Sequence, residues 1–232
     1  MCAIVLISLL LLTATARAGD FASDFALVLV DDATEAKLGP FPYDRAQYAK
    51  AIDACVKLKA KAVVLKFFFD LPQSAEGDAA LATAMKAIPV AIQARLEPTE
   101  GTAVDIPTKF RLTEKPLPAG EQDEKGWIPL PGLLATANKV GFVDFDGPVI
   151  PLVENYGGVS YPSLVLSCLE LATGATAKVG TDGKVHVGSA WLPVDAKNVF
   201  HGDLNHPVTV PEISFASLLA GEVKPEAVRA RS

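Results

Sequence analysis

Three apolar runs separated by two stretches of helical spacing fill residues 25 to 96, and this alternation restricts the fold more than any other feature of the chain. The first run, Phe25 to Asp32 (FALVLVDD), is continuously apolar and closes on two acids, as expected of a strand covered on both faces. The second is Ala62 to Phe68, with Asp70 just beyond it, and the third is Ile88 to Leu96. Between the first two, Asp44 opens a predicted helix in which Tyr48, Ile52, Cys55 and Val56 recur at helical intervals. Between the second and third, Asp78 is the expected cap of a helix carrying Leu81, Ala82 and Met85 on one side. Strand, helix, strand, helix, strand within about 75 residues calls for right-handed crossovers, and so for parallel strands with helices laid over them. The expected fold class is α/β: a single domain with a mostly parallel or mixed central sheet flanked by helices in three layers.

From Glu97 to Lys125 the pattern lapses. Pro98, Pro107, Pro116 and Pro118 stand among alternating charges, which predicts a proline-rich surface excursion with one edge hairpin around Phe110 to Leu112. Periodicity then resumes. Leu130 to Lys139 reads as a short helix, and GFVDF, Asp146-Gly147 and VIPLVEN read as a hairpin about a two-residue turn. Tyr161 to Thr173 has helical spacing, Val185 and Trp191 center two strands of a ribbon, and Ser214 is the expected cap of a last helix, Phe215 to Ala220.

The amino terminus reads as a leader. Residues 1–18 run apolar from Cys2 to Leu12, then turn to small residues ending in Ala16-Arg17-Ala18, an A-x-A cleavage pattern. About 11 apolar residues rise only about 16 Å as a helix, roughly half a bilayer's hydrocarbon thickness, so a cleaved signal peptide is expected ahead of an uncleaved anchor. Either route exports residues 19–232 to a periplasmic or extracellular location. Cys55 and Cys168 remain as thiols on apolar helix faces or as an oxidised pair, and no Cys/His spacing suits a metal. The net charge of -6 and the lack of any basic stripe exclude nucleic acid as a partner. Lys57, Lys59 and Lys61 are the nearest approach to one, and they belong at a helix end, where cations suit the macrodipole.

Three segments together resemble one family. They are VDDATEAKLGPFPYDR (Val30 to Arg45), VGFVDFDG (Val140 to Gly147) and YPSLVLSCLEL (Tyr161 to Leu171), followed at the right distance by ISFASLLAGEV. In order and separation they resemble the second type of CHASE domain, the sensory extracellular module of bacterial cyclase- and histidine-kinase-associated receptors. The resemblance implies a non-catalytic, ligand-responsive sensory domain needing no cofactor, with an unknown small-molecule ligand and a homodimer or a membrane receptor as partner. It departs from the family at Lys66, where an acid is usual, and at Ile150, where an Arg often follows the turn. The family's final strand and output domain are expected to be missing after VKPEAVRARS.

Ligands of open parallel sheets bind beyond the carboxyl ends of the strands. Asp31, Asp32, Asp70, Asp144 and Asp146 belong at such ends, and Arg45 on the first turn of its helix could hold a carboxylate there. Alternatively Asp31 and Asp32 cap the turn and Arg45 pairs with one of them. Phe41, Tyr43 and Trp127 are candidate walls or core. The rival reading is a magnesium-dependent phosphatase, in which the D-x-D-G of GFVDFDG supplies Asp144 as nucleophile and Asp146 as general acid. Pro148 replaces the usual Thr of that motif, however, and the acid pair Asp31-Asp32 precedes it instead of following. His186, His201 and His206 fall in predicted loops, and Ser163 suits a helix cap better than a hydrolase nucleophile.

Overall fold

Val63, Val64 and Leu65 are fully buried, which places the second apolar run inside a sheet covered on both sides. In the computed structural model the described residues are 3–7, 25–113, 116–145, 147–202 and 210–225. In chain order the first half comprises β1 (Ala3–Ile7), β2 (Phe25–Leu29), α1 (Asp32–Leu38), α2 (Arg45–Lys57), β3 (Ala62–Leu65), α3 (Ala75–Ala84) and β4 (Val90–Leu96). Next come β5 (Gln122–Asp123), β6 (Gly126–Trp127), α4 (Pro131–Thr136) and β7 (Lys139–Phe142), then β8 (Val149–Pro151), β9 (Val153–Tyr156), β10 (Val159–Pro162) and α5 (Leu164–Thr173). The last elements are β11 (Ala177–Val179), β12 (Lys184–Val187), β13 (Ala190–Pro193), β14 (Val199–His201), β15 (Glu212–Ser214) and α6 (Phe215–Ala220).

The main sheet runs β15-β2-β1-β3-β4-β6, with β7 also paired to β4. Pairs β15/β2, β3/β4 and β4/β7 are parallel, while β1 lies antiparallel between β2 and β3, with Ile4 opposite Val28 and Leu65. Its two faces are covered differently, because successive side chains of a strand point to opposite sides. Val63 and Leu65 join the large core beneath α2, α3, α4 and α6, whereas Ala62 and Val64 meet Leu164 and Ala172 of α5. This is the expected mixed α/β architecture in three layers. A third cluster, around Leu152, Leu166 and Val185, packs the β11-β12-β13 ribbon against another face of α5. Residues Ala3–Ile7, inside the segment read as a leader, form β1, and the Ala16–Ala18 cleavage pattern lies outside the described residues.

Several local expectations are corrected. GFVDF does not fold back on VIPLVEN: Lys139–Phe142 joins β4 in the main sheet, β8 pairs with β14, and β9 pairs with β10. Val140 and Phe142 are fully buried in the large core while Gly141 between them faces α5, and a strand covered on both faces belongs in a sheet interior, not in a ribbon with a wet face. Gly141 allows this packing, since a Cβ there would come within 2.3 Å of Leu164 Cα on α5. Asp44 caps α2 as expected, but the cap of α3 is Ser74, whose hydroxyl accepts from Gly77 N, and Asp78 is left free to pair elsewhere. Tyr161 lies within β10 instead of opening α5, which Ser163 caps. Val56 is exposed. In the proline-rich stretch a single 3-10 turn at Thr108–Phe110 takes the place of the hairpin, and Ile106 and Phe110 pack into the large core. Cys55 and Cys168 are free thiols on helices covering opposite faces of the sheet.

Candidate functional site

Past the carboxyl ends of β3, β4 and β7, three neighbouring parallel strands, the chain opens into a cleft of about 1090 Å³. Lys66, Phe67 and Phe68 enter it from β3, Gln93 and Arg95 from β4, and Asp144 and Phe145 from the end of β7. The turn after α1 contributes Phe41 and Pro42, and the segment around β5 adds Glu121 and Asp123. Phe68 is exposed and meets Trp127 edge to face at 4.9 Å, so it presents an apolar side to whatever enters. Both rim cations rest on rings: Arg95 lies 5.3 Å from the center of Trp127, and Lys66 lies 6.0 Å from that of Phe145.

Of the residues expected to gather here, Phe41, Arg45, Asp70 and Asp144 line the cleft. Asp31, Asp32 and Tyr43 do not, and Asp146 lies outside the described residues. Asp31 caps α1, accepting from Thr34 N and Oγ1, and also from Ser214 Oγ. Those bonds, first among them the Thr34 hydroxyl, hold its carboxyl below the usual range, and they explain why Ser214 makes no cap bond to its own helix. Asp32 is an exposed residue of the first turn of α1. Tyr43 is buried, stacked 6.2 Å from Phe215. Arg45 is already committed, to Asp78 at 2.6 Å and to the Leu71 carbonyl, with Phe69 beneath its guanidinium. Its ion pair is therefore structural, with Asp78 as the partner in place of Asp31 or Asp32. The two described histidines are not in loops: His186 on β12 bonds Asp182, and His201 on β14 bonds Asp195. His206 lies outside the described residues.

The charge that stands out behind the cleft floor is Glu154, on β9. It is fully buried, and its carboxyl is hydrogen-bonded to that of Asp144. Burial, with the Asp144 carboxyl beside it, pushes its pKa to about 10, so it is protonated at neutral pH. Asp144 in turn is raised by its own burial, against the opposing pull of Glu154, of Leu96 N at 3.0 Å and of Arg95. The Arg95 guanidinium stands 3.8 Å away and is half exposed, so it neutralises Asp144 weakly. Glu121, also lining the cleft, adds a like charge to both. A carboxyl within the run Leu152 to Tyr156 was the one trace of this group in the sequence.

The profile of the CHASE2 domain matches residues 5–232, essentially the whole chain. The chain belongs to the CHASE2 domain family. CHASE2 domains are extracellular sensory modules, which agrees with the resemblance carried by the three segments above. No curated protein and no solved structure matches the chain. Among the described residues of this CHASE2 domain no three metal-ligating side chains converge, and no helix is long and apolar enough to cross a membrane.

Proposed function

We propose that this CHASE2 domain is an exported, non-catalytic sensory module that binds a small molecule in the cleft beyond β3, β4 and β7. The observation that carries the reading is the coincidence, in one concavity, of the exposed rings of Phe41, Phe68 and Phe145 with the Asp144 carboxyl, which burial holds above its usual range. Carboxyls shifted by burial and set in a cleft mark candidate binding sites. Export is supported by the apolar start of the chain and by the extracellular setting of the family. Cleavage after Ala18 removes β1 from between β2 and β3, whereas retention of the segment keeps it, so the mass of the exported protein distinguishes the two routes.

Thermal melting against a metabolite library tests the reading. A ligand that binds only the folded state raises the melting temperature in proportion to RT ln(1 + [L]/Kd), and Phe68→Ala together with Gln93→Ala should reduce that rise. Magnesium-dependent turnover of p-nitrophenyl phosphate that Asp144→Asn abolishes would overturn it in favour of a phosphatase. A melting temperature unmoved by the whole library would also count against it.

A further inference from the structure

Resting on that reading, we propose that the cleft takes an uncharged planar ligand, an aromatic ring carrying a primary carboxamide, which pairs with the Gln93 amide while the ring lies among the exposed phenylalanines. Gln93, on β4, is only 3% exposed and lines the cleft. Its side-chain amide makes no hydrogen bond among the described residues. The register shows why. Leu65 stands opposite Ile92 and Gly141 opposite Gln93, so the nearest positions across the sheet are Lys66 on one side and a glycine on the other. Gly141 has no side chain to offer, and the Lys66 ammonium is laid toward the Phe145 ring. Buried polar groups are almost always hydrogen-bonded, so an amide without a partner inside a cleft points to one supplied by a ligand.

A second, independent observation is where the fold leaves its large apolar side chains in water. Of those exposed among the described residues, Phe41, Phe68, Leu71, Phe145 and Val149 line this one cleft, and only Val56 and Trp191 lie elsewhere. Apolar side chains gathered on one exposed surface mark a binding site, and the phenylalanines favour another ring, stacked or edge on. Hydrogen bonding and charge choose the polar end. The Gln93 amide offers an acceptor oxygen beside a donor nitrogen. A carboxylate would use only the donor, and it would meet Asp70, Glu121, Asp123 and Asp144 in the same cleft. An ammonium would use only the acceptor. A carboxamide donates to the Gln93 oxygen and accepts from its nitrogen, and it carries no charge for the acids, or for Lys66 and Arg95, to repel.

Nitrogen-15 NMR of the labelled full chain tests this, with benzamide as the probe and three counterparts. Acetophenone keeps the ring and the carbonyl but has no N–H, benzoate is charged, and acetamide has no ring. Benzamide should shift the Gln93 side-chain amide signal and raise the melting temperature. Each counterpart should bind at least about tenfold more weakly, because it leaves the buried amide half-paired or the rings uncovered. Gln93→Leu, of similar volume, should weaken benzamide by about tenfold and leave acetophenone unchanged, whereas Phe68→Ala should weaken both. Should Gln93→Leu fail to fold, the Gln93 amide signal of the unmodified chain still decides. Benzamide that binds without moving that signal, benzoate or acetophenone that binds as tightly as benzamide, or benzamide that does not bind at all would overturn the proposal. If another library compound binds in the cleft while benzamide does not, this inference falls and the cleft reading stands; if nothing binds, both fall.

Discussion

Glu170 and Glu154 are the same residue, equally hidden from water, and their surroundings could hardly differ more. Glu170, on α5, meets the Lys139 ammonium at 2.8 Å with one oxygen and accepts Ala177 N at 2.7 Å with the other. It ties β7 to α5 and α5 to the start of the ribbon. Glu154, on β9, has for a partner a second carboxyl, that of Asp144, and no cation in contact among the described residues. A buried charge is tolerated when it is paired and hydrogen-bonded, and otherwise it gives up the charge. The first glutamate is a fastener. The second keeps its proton and shares it with Asp144.

The largest way to test that contrast is to remove the fastener. Glu170→Ala leaves Lys139 without its partner and Ala177 N unbonded, and it should cost about 3 kcal/mol of stability, read from urea denaturation. A cost below about 1 kcal/mol would erase the distinction.

Next comes pH. Glu154 has a folded pKa raised from the usual 4.5 to about 10, so the folded state holds a proton that the unfolded state has released. Its contribution is complete below pH 4.5 and is lost progressively as pH climbs toward 10. The unmodified chain should lose about 2 kcal/mol relative to Glu154→Gln between about pH 5 and pH 9, well under the ideal limit of about 1.4 kcal/mol per pH unit because the site relaxes. Parallel stability curves for the two proteins would show that Glu154 is solvated.

Smaller still is Asp31→Ala. This carboxyl has good partners but sits nearer the surface, and losing a cap that also holds Ser214 should cost about 1 kcal/mol by thermal melting. The smallest effect is that of Glu154→Gln itself near pH 5, where both proteins carry a neutral group; they should agree within about 0.5 kcal/mol.

The fold was legible where apolar runs and caps agree. The runs Phe25 to Asp32, Ala62 to Phe68 and Ile88 to Leu96 each contain a strand, Phe25–Leu29, Ala62–Leu65 and Val90–Leu96, shorter than the run itself, and Asp44 caps its helix. It was misread where two local signals compete. Asp146-Gly147 announces a hairpin, but Val140 and Phe142 are buried on the main sheet, and burial of both outweighs the turn preference. Ser214 looks like a cap and is drawn off by Asp31, a partner 183 residues away that no local pattern reveals. Half of the candidate site was visible for the same reason. Asp70 and Asp144 come shortly after the ends of β3 and β7, so the rule for parallel sheets places them in the cleft. Glu154 and Glu170 could not be told apart in sequence, because each is one acid inside an apolar segment. Only tertiary packing gives one of them a lysine.

Carbon-13 NMR of the Glu154 side-chain carboxyl, followed across pH in the unliganded full chain, tests the central claim most directly. Burial beside the Asp144 carboxyl predicts a protonated Glu154 at pH 7 and a midpoint far above 4.5. A midpoint at the ordinary carboxylate value would contradict it: Glu154 would then be solvated or paired with a cation, and the contrast with Glu170 would be gone.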